Sequence, residues 1–339
     1  MTINYAFDTR PKHGEVQEIS DGIRWLRMPL PMVLEHINLW LLDDGEGCAI
    51  VDTGVFVASN REVWENTFSS SMQEPRISRV IVTHLHPDHV GCAGWLTEKH
   101  AVELWMTREE YLLCRILIAD TGRPAPEAGV RFYRAAGFSD EALQRYRDMF
   151  GMFGKYVSPL PESYHRLVDG EHLVIGNSAW EVVVGRGHSP EHACLLNTER
   201  KLLISGDQVL PTISSNVSVY PTEPRANPLK DWIGSLGAMK DRLPEDVLVL
   251  PAHGRPFYGA QQRIDALIAE HLEALDKLLD LCAEPKRAID VFPALFKGRI
   301  SAGNLIMATG EAVAHLNYLV AEGAIGAATE NGVTRYCRS

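Results

Sequence analysis

The chain has 339 residues, 45% of them hydrophobic, enough to bury a large core in one big domain or two of ordinary size. Lys and Arg number 33 against 44 Asp and Glu, and the formal net charge of -11 sets the surface as a whole against nucleic acid and anionic membranes. No run approaches the roughly 18 to 20 apolar residues that span a bilayer, Asp8, Arg10, Lys12 and Glu15 leave no hydrophobic signal core at the N-terminus, and Cys48, Cys92, Cys114, Cys194, Cys282 and Cys337 form no C-x-x-C pair. The expectation is a cytoplasmic globular protein with reduced thiols.

In chain order, the sequence opens with short strands over Ile23 to Met28, Ile37 to Leu42 and Cys48 to Val51, the last two joined by a hairpin connector at Asp44-Gly45-Glu46-Gly47. Ala58 to Phe68 has helical spacing, Ile77 to Val82 is a β-rich apolar run, and Pro87 to Lys99 is helical again, so strand and helix alternate. From Thr107 to Tyr156 the pattern is largely helical, broken at Gly122-Arg123-Pro124 and at Gly137, and reads as an insertion into a sheet-based fold. Strands resume at His172 to Ile175, Trp180 to Val184, Ala193 to Asn197, Lys201 to Ser205 and Val247 to Leu250, in a run that mirrors the first.

Beyond Gly259 the character changes to a long amphipathic helix over Gln261 to Cys282, helical segments at Ala288 to Phe296 and Asn304 to Glu322, and a polar hairpin near Ala327 to Tyr336. This divides the chain at residue 259 into a sheet-based domain (1–259) and a C-terminal domain (260–339) with the layout of a winged helix, a module often used on DNA. The tail carries 8 Lys and Arg against 10 Asp and Glu, a net of -2 that favours packing against the first domain or a second copy of the chain, a homodimer, over binding nucleic acid.

The chemistry concentrates in His84-x-His86-x-Asp88-His89, directly after the apolar strand Val80-Ile81-Val82. Residues 84 and 86 stand at a strand end and 88 and 89 on the following turn, so four ligand-type side chains converge on a small volume. Neutral imidazoles and a carboxylate suit zinc and related transition metals and can leave a position open for water. Four further residues each follow a strand: Asp52 after Ala49-Ile50-Val51, His188 after Val182-Val183-Val184, Asp207 after Leu202-Leu203-Ile204, and His253 after Val249-Leu250-Pro251. One His or Asp beside a glycine is ordinarily a turn or cap residue. The same strand-then-ligand arrangement four times points to a shared site.

From about residue 20 to 258 these motifs resemble the metallo-β-lactamase fold superfamily. The resemblance implies an αββα sandwich with metals at one sheet edge, His84, His86 and His188 on a first ion, Asp88, His89 and His253 on a second, and Asp207 bridging both. It also implies that Asp52, in Val51-Asp52-Thr53-Gly54, steadies the histidine loop. Zinc is the expected metal, and iron or manganese suits the same donors. The tail pattern Ala312-x-x-His315-Leu316-x-x-Leu319, with Ser214-Ser215-Asn216-Val217 and Pro228-Leu229-x-Asp231-Trp232, is similar to the subgroup named for β-lactamase-like protein 2, whose members include thioesterases and an endoribonuclease.

What the resemblance implies is a metal-dependent hydrolase in which a hydroxide held between two cations attacks a carbonyl or phosphorus, with Asp88 orienting it and passing its proton to the leaving group. A thioester of the acyl-CoA or glutathione type is the preferred small-molecule substrate, since the Met- and aromatic-bearing insertion offers cover for an acyl chain. Lactone hydrolysis uses the same site. A nuclease would need a phosphate track, for which Arg186, Arg225, Lys297 and Arg299 are the candidates, and a metal-binding regulator with little turnover is the non-enzymatic alternative.

Overall fold

The computed structural model describes residues 2–31, 34–72 and 76–338. After the short strand β1 (Asn4–Tyr5), the first half runs β2 (Val16–Ser20), β3 (Ile23–Pro29), β4 (His36–Asp44), β5 (Gly47–Val51), helix α1 (Ala58–Asn66), β6 (Ile77–Ile81), the short helices α2 (Pro87–Val90) and α3 (Ala93–His100), and β7 (Leu104–Thr107). The insertion follows as α4 (Arg108–Ala119), α5 (Glu127–Ala136) and α6 (Asp140–Met149), and β8 (His165–Leu167) returns the chain to the same sheet. These strands form a seven-stranded sheet in the order β2-β3-β4-β5-β6-β7-β8, antiparallel up to β5 and parallel from β6 onward.

The second half repeats the plan with β9 (His172–Ile175), β10 (Ser178–Gly185), β11 (His192–Asn197), β12 (Leu202–Gly206), α7 (Pro228–Arg242), β13 (Leu248–Pro251) and β14 (Phe257–Tyr258). It makes a second seven-stranded sheet in the order β1-β14-β13-β12-β11-β10-β9, with β13 again entering parallel to its neighbour β12. The tail consists of α8 (Ala260–Leu281), α9 (Phe292–Leu295), α10 (Leu305–Ala321) and the hairpin β15 (Ile325–Glu330) to β16 (Val333–Arg338).

Strand β4 shows why the sheets stack. Side chains alternate across a strand, and here both faces are apolar, as expected of a strand covered on both sides. Ile37, Leu39 and Leu41 join the core beneath α1, α3 and α4 with Trp64, Leu96 and Tyr111. Trp40 and Leu42 point the other way, into a layer between the sheets shared with Trp25, Trp180, Leu195, Ile204 and Leu250. A third core lies under α7, α8 and α10 on the outer face of the second sheet, where Trp232, Leu267, Leu316 and Ile325 meet Leu203 and Val249. The layering is therefore αββα, and the tail shares one continuous core with the second sheet.

The structure departs from the sequence reading in a few places. The helix expected over Pro87 to Lys99 is two helices parted at Gly91-Cys92, because the backbone there bonds to other segments: Cys92 N–H donates to Gly54 O at 2.9 Å and Ser158 N–H to Gly91 O at 2.8 Å. A Cβ on Gly91 would fall 2.5 Å from Gly54 O, so only glycine permits that approach. Strands β1, β2, β7, β8 and β14 and helix α7 were not expected. Most of these strands have two to four residues, too few for alternation to register.

Most of the insertion's apolar side chains are core. Tyr111 and Cys114 complete the layer under the first sheet, while Val130, Tyr133, Phe138, Leu143 and Tyr146 form a small core of their own against Ile289, Leu305 and Ile306 of the tail. Leu112, Ile116 and Met149 remain exposed.

Candidate metal centre

Each candidate ligand sits just past a strand end or on the turn that follows, all at one end of the sandwich. Asp52 follows β5, His84 and His86 follow β6, Asp88 and His89 lie on α2, His188 follows β10, Asp207 follows β12, and His253 follows β13. At this end the sheets are joined by backbone hydrogen bonds, from Ala193 N–H to Thr83 O at 2.8 Å and from Asn38 N–H to Ala252 O at 2.7 Å.

The structure brings the seven proposed ligands into two adjoining groups. His84, His86, His188 and Asp207 offer donor atoms that all lie within 4.8 Å of one another, and so do Asp88, His89 and His253. In the first group His84 Nε2 is 2.8 Å from His86 Nδ1 and 3.3 Å from His188 Nε2. Asp207 spans the two groups: Oδ2 lies 3.4 Å from His188 Nε2, and Oδ1 lies 3.5 Å from both His89 Nε2 and His253 Nε2. Asp88 Oδ2 is 3.3 Å from His253 Nε2 and 3.7 Å from His89 Nε2.

This donor set fits a pair of cations. His89 Nε2, His253 Nε2 and Asp207 Oδ1 are buried without a hydrogen-bond partner among the described residues, a costly arrangement for polar atoms unless something else satisfies them. The tautomers agree. Nδ1 of His89 faces Asp52 Oδ2 at 2.7 Å, Nδ1 of His188 faces Asn216 O at 2.7 Å, and Nδ1 of His253 faces His36 O at 2.8 Å. With Nδ1–H donated to oxygen, each Nε2 lone pair is left aimed into the cluster, as a ligating histidine requires.

Burial, with added repulsion from neighbouring imidazoles, pushes His84 well below its ordinary pKa, and burial with His188 close by takes His86 down to about 3. Both stand ready as neutral donors. Burial also disfavours a charged His89, but Asp52, Asp207 and Asp88 together outweigh it and hold that imidazole well above its usual value. Burial would raise Asp88, yet His89 and His253 bring its carboxyl down to about 2. Three carboxylates, Asp52, Asp88 and Asp207, thus surround His89, a setting that favours positive charge there.

Asp52 sits beneath the histidine loop. Its carboxylate accepts from Thr83 N–H at 2.8 Å, from Thr83 Oγ1 at 2.8 Å and from His89 Nδ1 at 2.7 Å, tying the loop start to its end. It adopts φ 61°, a left-handed conformation that a residue other than glycine seldom takes.

Two residues with parts in this site, Glu110 and His192, escaped the sequence reading, and a third, Asn216, entered it only within the Ser214–Val217 pattern. Glu110, fully buried in the first turn of α4, accepts Leu85 N–H at 2.9 Å and Glu191 N–H at 2.8 Å, so one side chain holds both the His84–His86 loop and the turn after His188. His192 stacks on His84 with ring centroids 4.7 Å apart, and its Nε2 accepts Asp207 N–H at 3.0 Å. Asn216 supplies the carbonyl for His188. The available signal for Glu110 was an acidic residue in a helix's first turn directly after a strand, which is also the mark of an ordinary surface helix.

A model of the Metallo-beta-lactamase superfamily matches residues 33–284. The chain belongs to that superfamily. Within it, the last part of the chain, residues 275–339, matches a model described as Metallo-beta-lactamase-like, C-terminal domain. This superfamily member is similar over nearly its whole length to a beta-lactamase domain protein from Burkholderia ambifaria, with 40% identity, a TM-score of 0.91 and coverage of 99% of this chain and 98% of the other. It is 23% identical to the probable metallo-hydrolase YqjP of Bacillus subtilis over 88% of this chain and 92% of that one. It is also 23% identical to the acyl-coenzyme A thioesterase MBLAC2 of Homo sapiens, over 73% of this chain and 82% of the relative. Among the described residues no helix is long and apolar enough to cross a membrane.

Proposed function

We propose that this chain is a thioesterase that cleaves an acyl thioester at a centre of two divalent cations, His84, His86 and His188 holding one, Asp88, His89 and His253 the other, and Asp207 shared between them. The observation that carries the reading is Asp207, whose two carboxylate oxygens face different imidazole groups at 3.4 and 3.5 Å. The thioesterase MBLAC2 among the relatives, 23% identical, favours a thioester over other esters. Divalent ions in such a centre supply Lewis acidity and bring the deprotonation of water into the neutral range. Zinc is the ion best matched to a site of five imidazoles and two carboxylates.

The protein's own part is to hold donors and to manage a proton. Asp52, Asn216 and the His36 carbonyl fix three imidazoles, so little reorganisation is needed when charge develops on the substrate carbonyl. Asp88, held ionised by His89 and His253 beside it, orients the attacking water, takes up its proton and passes it to the departing thiolate, which leaves as the thiol. Exposed Leu112, Ile116 and Met149 on the insertion give the acyl chain apolar cover. We read residues 260–339 as a winged-helix-like module that shares its core with the catalytic domain, and the six unpaired cysteines as suited to the cytoplasm.

The test is turnover of a panel of acyl-CoA and glutathione thioesters and of lactones by zinc-loaded protein, beside His86→Ala. Thioester cleavage that falls by more than about 100-fold in the variant, beyond the usual cost of outer-shell changes, is the expected result. RNA cleavage without thioester cleavage would replace this reading with a nuclease, and elemental analysis of protein purified without added metal checks zinc.

A further inference from the structure

The loop from Asp207 to Val219 carries a proposed ligand at one end and the carbonyl that orients His188 near the other, yet beyond a turn at its start it has no helix or strand of its own. Residues of the C-terminal segment hold it at successive points. Arg263 on α8, itself buried, donates Nε–H to Leu210 O at 2.8 Å and a terminal N–H to Ile213 O at 2.9 Å. Ser214, His271, His315 and Glu311 form a chain with one consistent set of protons: Ser214 O–H to His271 Nε2 at 3.2 Å, His271 Nδ1–H to His315 Nε2 at 3.1 Å, and His315 Nδ1–H to Glu311 O at 2.8 Å.

The last contact lies closest to the cluster. Asn216 gives its carbonyl to His188 Nδ1 and its side-chain amide to Glu311 Oε2, both at 2.7 Å, while Ser218 Oγ donates to Asn216 Oδ1 at 2.5 Å. Val219 N–H reaches Gly310 O at 3.0 Å, and a Cβ on Gly310 would stand 2.7 Å from Ser218 Oγ, so helix and loop approach as closely as a glycine allows. A mid-helix glycine is less favourable than alanine, and this contact is its reason. Among the described residues Glu311 makes no ion pair with a Lys or Arg, and burial pushes its carboxyl up to about 7 despite the Asn216 amide.

We propose that Glu311 is a positioning residue: through the Asn216 side chain it fixes the Asn216 carbonyl, and so the ring of His188, making the C-terminal segment part of the metal centre's scaffold. This rests on the reading of His188 as a ligand.

The experiment uses the full-length chain and measures zinc affinity by chelator competition, the visible absorption of the cobalt-loaded protein and the unfolding midpoint of the metal-free protein. The variants are Glu311→Ala, Glu311→Gln, Asn216→Ala and the double variant Asn216→Ala/Glu311→Ala. Glu311→Ala is expected to weaken zinc binding about 10- to 100-fold, the usual cost of losing an outer-shell partner, and to shift the cobalt bands. Glu311→Gln, which keeps an oxygen for the Asn216 amide, stays within a few-fold of the parent, and the double variant loses no more than Asn216→Ala alone. Asn216→Ala, which leaves the tail's packing intact, carries the test if Glu311→Ala does not fold. A folded Glu311→Ala with unchanged zinc affinity and cobalt bands, or a Gln variant as damaged as the Ala variant, would overturn the proposal. A parent chain that binds neither zinc nor cobalt would instead overturn the metal reading beneath it.

Discussion

The insertion and the C-terminal tail both reach the same histidine neighbourhood with a glutamate, fully buried in the insertion and half-buried in the tail, but they grip it differently. Glu110 of the insertion accepts two backbone N–H groups, one from each of the loops flanking His84 and His188. Glu311 of the tail accepts a side-chain amide, one step removed from His188. The first contact is a brace between two loops; the second acts on one loop only. Removing the brace strands two backbone amides, one buried and one part-buried, whereas removing the tail contact frees a side chain that is only half-buried.

The largest effect is therefore expected at the brace. Glu110→Ala leaves Leu85 N–H and Glu191 N–H unpaired at about 1 to 3 kcal/mol each, and denaturant unfolding of the metal-free protein should show a loss of about 2 to 6 kcal/mol. A loss under about 1 kcal/mol would mean that the two loops hold together without it.

Acid should act next, and on the tail rather than the insertion. Burial keeps His271 and His315 neutral in the fold, with pKa values lowered to about 3 and about 4 from the ordinary 6.5. Below pH 6.5 the unfolded chain takes up protons that the folded chain refuses, so stability falls as pH drops from about 6.5 toward 4, by about 1.4 kcal/mol per pH unit for each imidazole. Hydrogen exchange at pH 5.5 should rise in α8 and α10 before it rises in α5 and α6. Equal acceleration in both regions would remove the contrast.

The smallest change concerns the exposed face of the insertion. Ile116→Ser, at a position 56% exposed, should alter stability by no more than about 0.5 kcal/mol. It should raise KM several-fold for long-chain but not short-chain thioesters if that face covers the acyl group. No dependence on chain length would leave the insertion as the carrier of Glu110 alone.

The residues the sequence reading singled out share a legible property: each proposed ligand and Asp52 follows an apolar β-run or lies on the turn after one, and the structure places them all at one end of the sandwich. The longer strands and the break points of the insertion were legible for the same reason, that hydrophobic periodicity and Gly or Pro interruptions record burial and turns. Glu110, His192 and Glu311 were not, because each is defined by what it meets across the fold. Glu110 follows Arg108-Glu109 and looks like a solvated helix start; Glu311 is the one acidic residue of a largely apolar helix, where a lone acid reads as its outer face. Gly91 falls inside the helix expected over Pro87 to Lys99, and nothing local announces the Gly54 carbonyl pressed against it.

The two backbone hydrogen bonds that tie the sheets together at the cluster have a consequence for how the protein is made. His84 and His188 are 104 residues apart in the chain, and Asn38 reaches a carbonyl 213 residues further on. Closing such separations is slow relative to local structure, and during synthesis His253 and the tail emerge long after the His84–His89 run. A cation would therefore meet a finished cleft rather than nucleate one. Zinc in refolding experiments should leave the folding rate nearly unchanged and slow unfolding, so that the metal acts as a lock on the completed sandwich rather than its template.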